Sequence, residues 1–328
     1  MTDVVMTILV AVYNTEQFLD RCLDSLCGQT LHDIQVVCID DASTDGSPAI
    51  LRRYQAADPR IEVVTLATNR GQAFARNQGL KRACGRYVAY LDSDDWMAPD
   101  CLEQALRAFE SHPRAGCVLL HTVYWEDETR WREFAMEPFE CISGHEAFVR
   151  SLTWKIHGVY VVRADIHRRY PYDESAHSFS DDNTTRLHYL ASDEVCTCEG
   201  TYFYRQHAAS VSHRIDLRRF DYLVANRSMS RKLKELGVSR ETAAVYENHR
   251  WLNVIDLYMI FFRHRHAMSP HDAAQALGRL REAWQSIDVS LLAGSLRRKP
   301  GYMPLRGSWF LFRLQEELYF SLRKMLGR

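Results

Sequence analysis

The first 125 residues alternate short apolar runs with amphipathic stretches. Thr7–Val12, Ile34–Ile39, Ile61–Leu66, Tyr87–Leu91 and Cys117–Tyr124 are largely Val, Ile and Leu, as expected of strands buried on both faces of a parallel sheet. Between them, Glu16–Leu26, Pro48–Ala57, Gln72–Ala83 and Asp100–Glu110 repeat apolar positions at helical spacing. Ser47 followed by Pro48 predicts a helix start, with serine as N-cap and proline in the first turn. Repeated β-α-β units imply a doubly wound sheet with helices on both faces. From residue 126 to 214 the pattern loosens into shorter elements, and beyond Asp216 it reads as helix. The predicted organisation is an α/β domain with a mainly parallel sheet over residues 1–215, followed by a helical region over 216–328.

Composition adds little until it is resolved along the chain. Hydrophobic residues at 46% and charged residues at 25% describe a globular protein of 328 residues, long enough for one large domain with an appendage. The net charge of −1 conceals an asymmetry. Residues 216–328 hold 20 Lys/Arg against 11 Asp/Glu, whereas the first 215 hold 21 against 31. An acidic front and a basic back suit either different partners or two solvated surfaces of opposite sign.

Nine cysteines, odd in number and scattered through apolar runs, predict reduced, mostly buried thiols in a cytoplasmic protein. Cys196 and Cys198 lack a second pair at zinc-ligand spacing. The N-terminal residues read as a first strand rather than a signal peptide. The most apolar helical stretch, Trp251–Phe262, is short and carries Asn253 and Asp256, so no membrane crossing is expected.

Ligands of doubly wound sheets bind outside the carboxyl ends of the strands. Those ends are polar here: Tyr13-Asn14, Asp40 through Ser47, Asn69-Arg70-Gly71, and Asp92-Ser93-Asp94-Asp95. Clustered carboxylates repel unless solvated or bridged by a cation, and a hard divalent ion takes oxygen ligands while keeping places for phosphate oxygens. An Asp-x-Asp at this position is therefore suited to a metal–diphosphate. The Asp40–Ser47 loop admits two readings: a capped turn entering a helix, or a pocket in which Asp41 accepts an N–H of a uracil-like base while Tyr13 packs on its ring.

Ile8 through Asn14, Cys22 through Leu26, Gln29-Thr30, Val37 through Ser47, Asn69-Arg70-Gly71, Ala75 through Gly79 and Asp92 through Asp95 together resemble the family-2 glycosyltransferases of GT-A fold, over roughly the first 120 residues. The resemblance implies an inverting transfer from a nucleotide sugar, UDP-linked by preference, with Mn²⁺ or Mg²⁺ as cofactor. It implies donor binding by Tyr13, Asp41, Arg76 and Asp92, and metal contact by Asp94. Asp182, in Phe179 through Asn183, matches the position of the catalytic base, with Asp181 where glutamate is usual. A base is needed to take the acceptor hydroxyl's proton, although acids opening a helix also suit its dipole. Arg205 and His207, in Tyr204 through His207, resemble the segment that closes the donor site, Arg205 countering diphosphate charge and His207 reaching the metal. Two departures stand beside the base pocket: Ala11 where proline is usual, and Ala42 where glycine is usual.

The expected partners are a nucleotide-sugar donor and a saccharide or glycolipid acceptor, as in surface polysaccharide assembly. A sugar nucleotidyltransferase would carry a Gly- and Lys-rich phosphate loop near the first strand, and a non-catalytic scaffold would not need Asp94 and Asp182. No Walker loop or G-x-G-x-x-G is present, and nucleic-acid binding lacks a module. In the basic tail, Trp309, Phe310, Leu314, Leu318, Leu322 and Met325 recur at helical spacing. Such a helix packs on its own chain, forms a homodimer contact, or lies on the anionic inner face of the cell membrane.

Overall fold

The computed structural model describes residues 4–176, 181–206, 217–305 and 307–325. Contacts divide the chain into two compact units, residues 1–174 with 184–210, and residues 175–183 with 211–328.

The first unit is built on a ten-stranded sheet. β1 (Met6–Val12) lies between β2 (Ile34–Asp40) and β4 (Tyr87–Tyr90), and β3 (Ile61–Thr65) flanks β2, all four parallel. Their apolar runs are buried as the sequence predicts: Ile8, Leu9, Val10, Val37, Cys38 and Ile39 have no exposed surface. Four parallel strands put four carboxyl ends on one edge. The helices α1 (Glu16–Cys27), α2 (Ser47–Ala57), α3 (Gln72–Leu80) and α4 (Cys101–Ser111) follow at or near the predicted places. α1 inserts Leu19, Cys22, Leu23 and Leu26 into one core, and α3 packs Ala75 and Leu80 into the other.

Beyond β4 the sheet turns mixed. β9 (Tyr160–Arg163) runs antiparallel to both β4 and β6 (Ala115–Asp127), and β10 (Glu194–Arg205) runs parallel to β6. β5 (Trp96–Met97) pairs with β10, β7 (Arg130–Glu133) with β6, and β8 (Cys141–Ser143) with β10. Helices α5 (Gly144–Ser151) and α6 (Ala164–Arg169) connect these strands.

Two expectations are corrected. Ser47 opens α2 as its first residue, after Gly46, and makes no N-cap bond. Its amide donates to Asp45 instead, and its hydroxyl accepts from the amide of Thr15. The thiols are not all reduced: Cys141 and Cys196 form a disulfide. The antiparallel β8–β10 ladder sets them directly opposite one another, a register that the spacing of cysteines along the chain does not disclose.

The second unit is helical among its described residues. α8 (Asp221–Glu235), α9 (Arg240–His264), α10 (Pro270–Ser286), the short α11 (Gly294–Arg298) and α12 (Trp309–Met325) share a core. Trp251, Val254, Ile255, Tyr258 and Phe261 of α9 form its centre. Ser239 and Ser269 cap α9 and α10 through their side chains. No helix of the described residues is long and apolar enough to cross a membrane.

Candidate active site at the strand ends

The first two strand-end loops hold each other. The Asn14 side chain accepts from the Thr44 amide, the Ser43 hydroxyl accepts from the Asn14 amide, and the Ser43 amide donates to Asp40. Asn14 and Ala42 both sit at positive φ, 53° and 61°. Asparagine tolerates that region and glycine favours it, whereas a Cβ is penalised there. Ala42, the residue standing where the resemblance expects glycine, therefore carries backbone strain. Tyr13, half exposed at 47%, presents its ring beside this turn.

Asp41 is buried, and both of its oxygens are engaged. One accepts the Arg70 amide at 2.8 Å and the other the Gly71 amide at 2.7 Å. Its first task is to tie the third loop to the second. Gly71, at φ 88°, supplies the left-handed turn that aims its amide at Asp41 and starts α3.

One turn into α3, Arg76 is buried with its guanidinium ion-paired to Asp92 at 2.5 Å. It also lies 4.2 Å above the Tyr90 ring. Gln72 donates to the same Asp92 oxygen at 2.6 Å. Asp92 is thus held by α3, and its negative charge is balanced from the sheet side.

Asp95 points inward. Tyr202 donates its hydroxyl to one oxygen at 2.6 Å, and the Arg205 amide donates to the other at 2.8 Å. Burial pushes its carboxyl upward from the usual carboxylate range, and the charges of Asp92 and Asp94 add to that; the two hydrogen bonds pull the other way. Asp95 therefore fastens the fourth loop to β10.

Asp94, between these two, is half-buried at the strand end. Arg205 donates its Nε to the Asp94 carbonyl at 2.8 Å. The Arg205 guanidinium lies 4.7 Å from the Trp96 ring, 5.1 Å from Trp125 and 5.0 Å from Phe18. Arg21 stacks on the same two tryptophans, 3.6 Å above Trp96. Aromatic faces steady guanidinium groups while leaving their charge available. Among the described residues, the side chains that gather three metal-type ligand atoms within 4.8 Å are His112, Cys141 and Cys196. The strand-end aspartates do not converge in this way. Asp92 is bonded by Arg76 and Gln72, and Asp95 by Tyr202 and the Arg205 amide.

Tyr13, Asp41, Asp92 and Asp94 thus lie in strand-end loops, Arg76 in α3 and Arg205 at the end of β10. Asp182 lies on the first turn of α7 (Asp181–Ala191), where Tyr222 donates to its Oδ2 at 3.4 Å. The next residue, Asn183, is fully buried and donates to the Ala225 carbonyl at 2.8 Å. His207, Phe179 and Ser180 lie outside the described residues. Sequence reasoning did not single out Tyr202, Asp95, Trp125 or Arg21. Tyr202 occupies an inward position of a strand and reads locally as core. Asp95 looks like any other member of an acidic run.

The model of "Glycosyl transferase family 2" matches residues 7–170. The chain belongs to that family. It is 43% identical over 102 residues to the "Putative glycosyltransferase EpsH" of Bacillus subtilis (strain 168), covering 31% of this chain and 29% of that one. It is 35% identical over 133 residues to the same organism's "Putative teichuronic acid biosynthesis glycosyltransferase TuaG", covering 40% of this chain and 53% of TuaG. Both relatives are matched over less than two thirds of their own length. Among solved structures, S. aureus TarS 1-349 in complex with UDP-GlcNAc superposes with a TM-score of 0.76, covering 97% of this chain and 92% of that one at 19% identity. At that identity the likeness establishes the fold, which is GT-A.

Proposed function

We propose that this protein is an inverting, divalent-metal-dependent glycosyltransferase. It moves a sugar from a nucleoside diphosphate sugar, UDP-linked, onto a saccharide or lipid-linked saccharide in surface polysaccharide assembly. The observation that carries the reading is the fourth loop. Of its three carboxylates, Asp92 and Asp95 are held by Arg76, Gln72, Tyr202 and the Arg205 amide, and Asp94 stands between them beside the Arg205 guanidinium.

Each residue then has a task. Tyr13 stacks on the base. Asp41 fixes the Arg70–Gly71 amides that border the base pocket and offers its remaining lone pairs to the ring edge. Arg76 and Asp92 set the height of the fourth loop against α3. Arg205 counters diphosphate charge. An oxygen donor at Asp94 fits a hard divalent ion, and His207, outside the described residues, would be its second ligand. Bound there, Mn²⁺ or Mg²⁺ supplies Lewis-acid stabilisation of the departing diphosphate. Asp182 takes the proton of the acceptor hydroxyl as that oxygen attacks the anomeric carbon from the face opposite the diphosphate, which inverts the centre. The UDP-GlcNAc bound to TarS and the teichuronic acid role in the name of TuaG support the donor and pathway class.

The test is UDP release from a panel of UDP-sugars, with saccharide acceptors, by wild type, Asp94→Ala and Asp182→Asn. Turnover that falls by at least about a hundredfold in both variants is expected. Wild-type turnover retained in either variant, or a product of the donor's own anomeric configuration, would overturn the assignment.

A further inference from the structure

α12 carries apolar side chains on two opposite faces. One face, Phe312, Glu316 and Phe320, is buried in the helical core, where Phe312 meets Trp251, Tyr258 and Trp284. On the other face Phe310, Leu311, Leu314, Leu318, Leu322 and Met325 are between 44% and 75% exposed. At 3.6 residues per turn these six cover roughly 120° of the helix and run about 22 Å along it. A contiguous exposed apolar patch of this size marks a binding surface.

One margin of the stripe is basic. Along it stand Arg313 and Lys324, with Arg265 drawn in by its ion pair to Glu317. Among the described residues, three cations therefore border this margin, against one carboxylate, Glu317, which is already paired.

This charge pattern selects the occupant. A second copy docked stripe to stripe and antiparallel about a two-fold axis brings the basic margin against its own counterpart, which is unfavourable. The stripe is also wider than the narrow seam of a paired coiled coil. A broad apolar face edged by Lys and Arg suits the boundary of a bilayer, with the side chains among the acyl chains and the cations on anionic headgroups. We propose that α12 is a membrane-docking helix that lies in the surface of an anionic bilayer. The proposal stands on the helix alone; its extension, that the acceptor is anchored in the same leaflet, rests on the glycosyltransferase reading.

The experiment is flotation of the full chain with vesicles of phosphatidylglycerol and phosphatidylethanolamine, and with phosphatidylcholine vesicles as control. Wild type is expected to float with the anionic vesicles, less so at high salt. The variant Leu314→Ser/Leu318→Ser/Leu322→Ser should lose at least about tenfold in affinity, and Arg313→Gln/Lys324→Gln should weaken binding and reduce its dependence on salt. Both variants should keep the wild-type far-UV circular dichroism and the wild-type stabilisation by UDP-sugar, so a folding failure or a wrong donor assignment is seen separately. Equal flotation of wild type and the serine variant would overturn the proposal. So would no wild-type flotation, including the case of a solution dimer that the serine substitutions dissociate, which would assign the stripe to a second copy.

Discussion

Replacing Arg76 with alanine removes the cation that holds the acidic loop. Arg76 is 2% exposed and Asp92 is its partner at 2.5 Å. Without the guanidinium, Asp92 loses its ion pair while keeping the Gln72 bond, close to Asp94 and Asp95. Removing one partner of a buried pair costs about 3–5 kcal/mol. The Asp92 side chain is 24% exposed, so water relieves part of the loss and the lower end applies, about 3 kcal/mol. Lost stacking on Tyr90 adds about 0.5–1 kcal/mol. For a unit of this size 3 kcal/mol corresponds to a fall of about 6–12 °C in the melting temperature. Urea unfolding of wild type, Arg76→Ala, Asp92→Asn and the double variant measures both the cost and the coupling. The double variant should be less destabilised than the sum of the single ones by about 2 kcal/mol, because Arg76→Ala no longer strands a charge. A single-variant cost below about 1 kcal/mol, or additivity within about 0.5 kcal/mol, would refute the reasoning.

Three further outcomes are expected. Ala42→Gly relieves the positive φ at the second loop and should stabilise by about 1 kcal/mol, or about 2–4 °C; an unchanged or lower melting temperature contradicts the strain. Tyr202→Phe strips one Asp95 oxygen of its hydroxyl donor and should cost about 1–3 kcal/mol in urea unfolding; a neutral substitution would show that this bond does not anchor the fourth loop. Burial raises the carboxyl of Glu316, in the helical core, to about 8. Between its ordinary value and about 8 the folded chain holds a proton that the unfolded chain has released, so stability falls as pH rises through that window, by about 5 kcal/mol at most. Glu316→Gln should therefore gain on wild type as pH rises from 5 to 8, and parallel pH profiles in denaturant titrations would contradict this.

Much of the first unit is legible in the sequence because its strands are buried on both faces. β1 to β4 and α1 to α4 announce themselves as apolar runs and amphipathic stretches, with ends within a few residues of those observed. The strand-end loops follow from the parallel order alone, and the run of aspartates at 92, 94 and 95 identifies the edge that matters. What the sequence does not disclose depends on contacts far apart in the chain. Asp41 as the anchor of Arg70 and Gly71 spans about 30 positions, and the Tyr202–Asp95 bond spans 107. The Cys141–Cys196 pairing needs the β8–β10 register, which no local pattern encodes. The helix start at Ser47 differs for a local reason: Asp45 accepts the Ser47 amide, and the serine hydroxyl bonds the Thr15 amide instead of capping the helix.

The division of labour among the aspartates has a physical basis. Three carboxylates within four residues repel one another, and the fold spends buried donors on Asp92 and Asp95. Asp94 lies between them at the strand end, its carbonyl accepting from Arg205 Nε. The arrangement concentrates opposite charges at one strand end, which suits a ligand that carries both a metal ion and a diphosphate.

The most direct test of this account is thermal stabilisation by UDP-, GDP- and dTDP-sugars, with and without Mn²⁺, in wild type and Asp94→Ala. The account predicts stabilisation by UDP-sugars that requires Mn²⁺ in wild type and disappears in a folded Asp94→Ala variant. Stabilisation that is independent of metal and equal in both proteins, or no stabilisation by any nucleotide sugar, would contradict it.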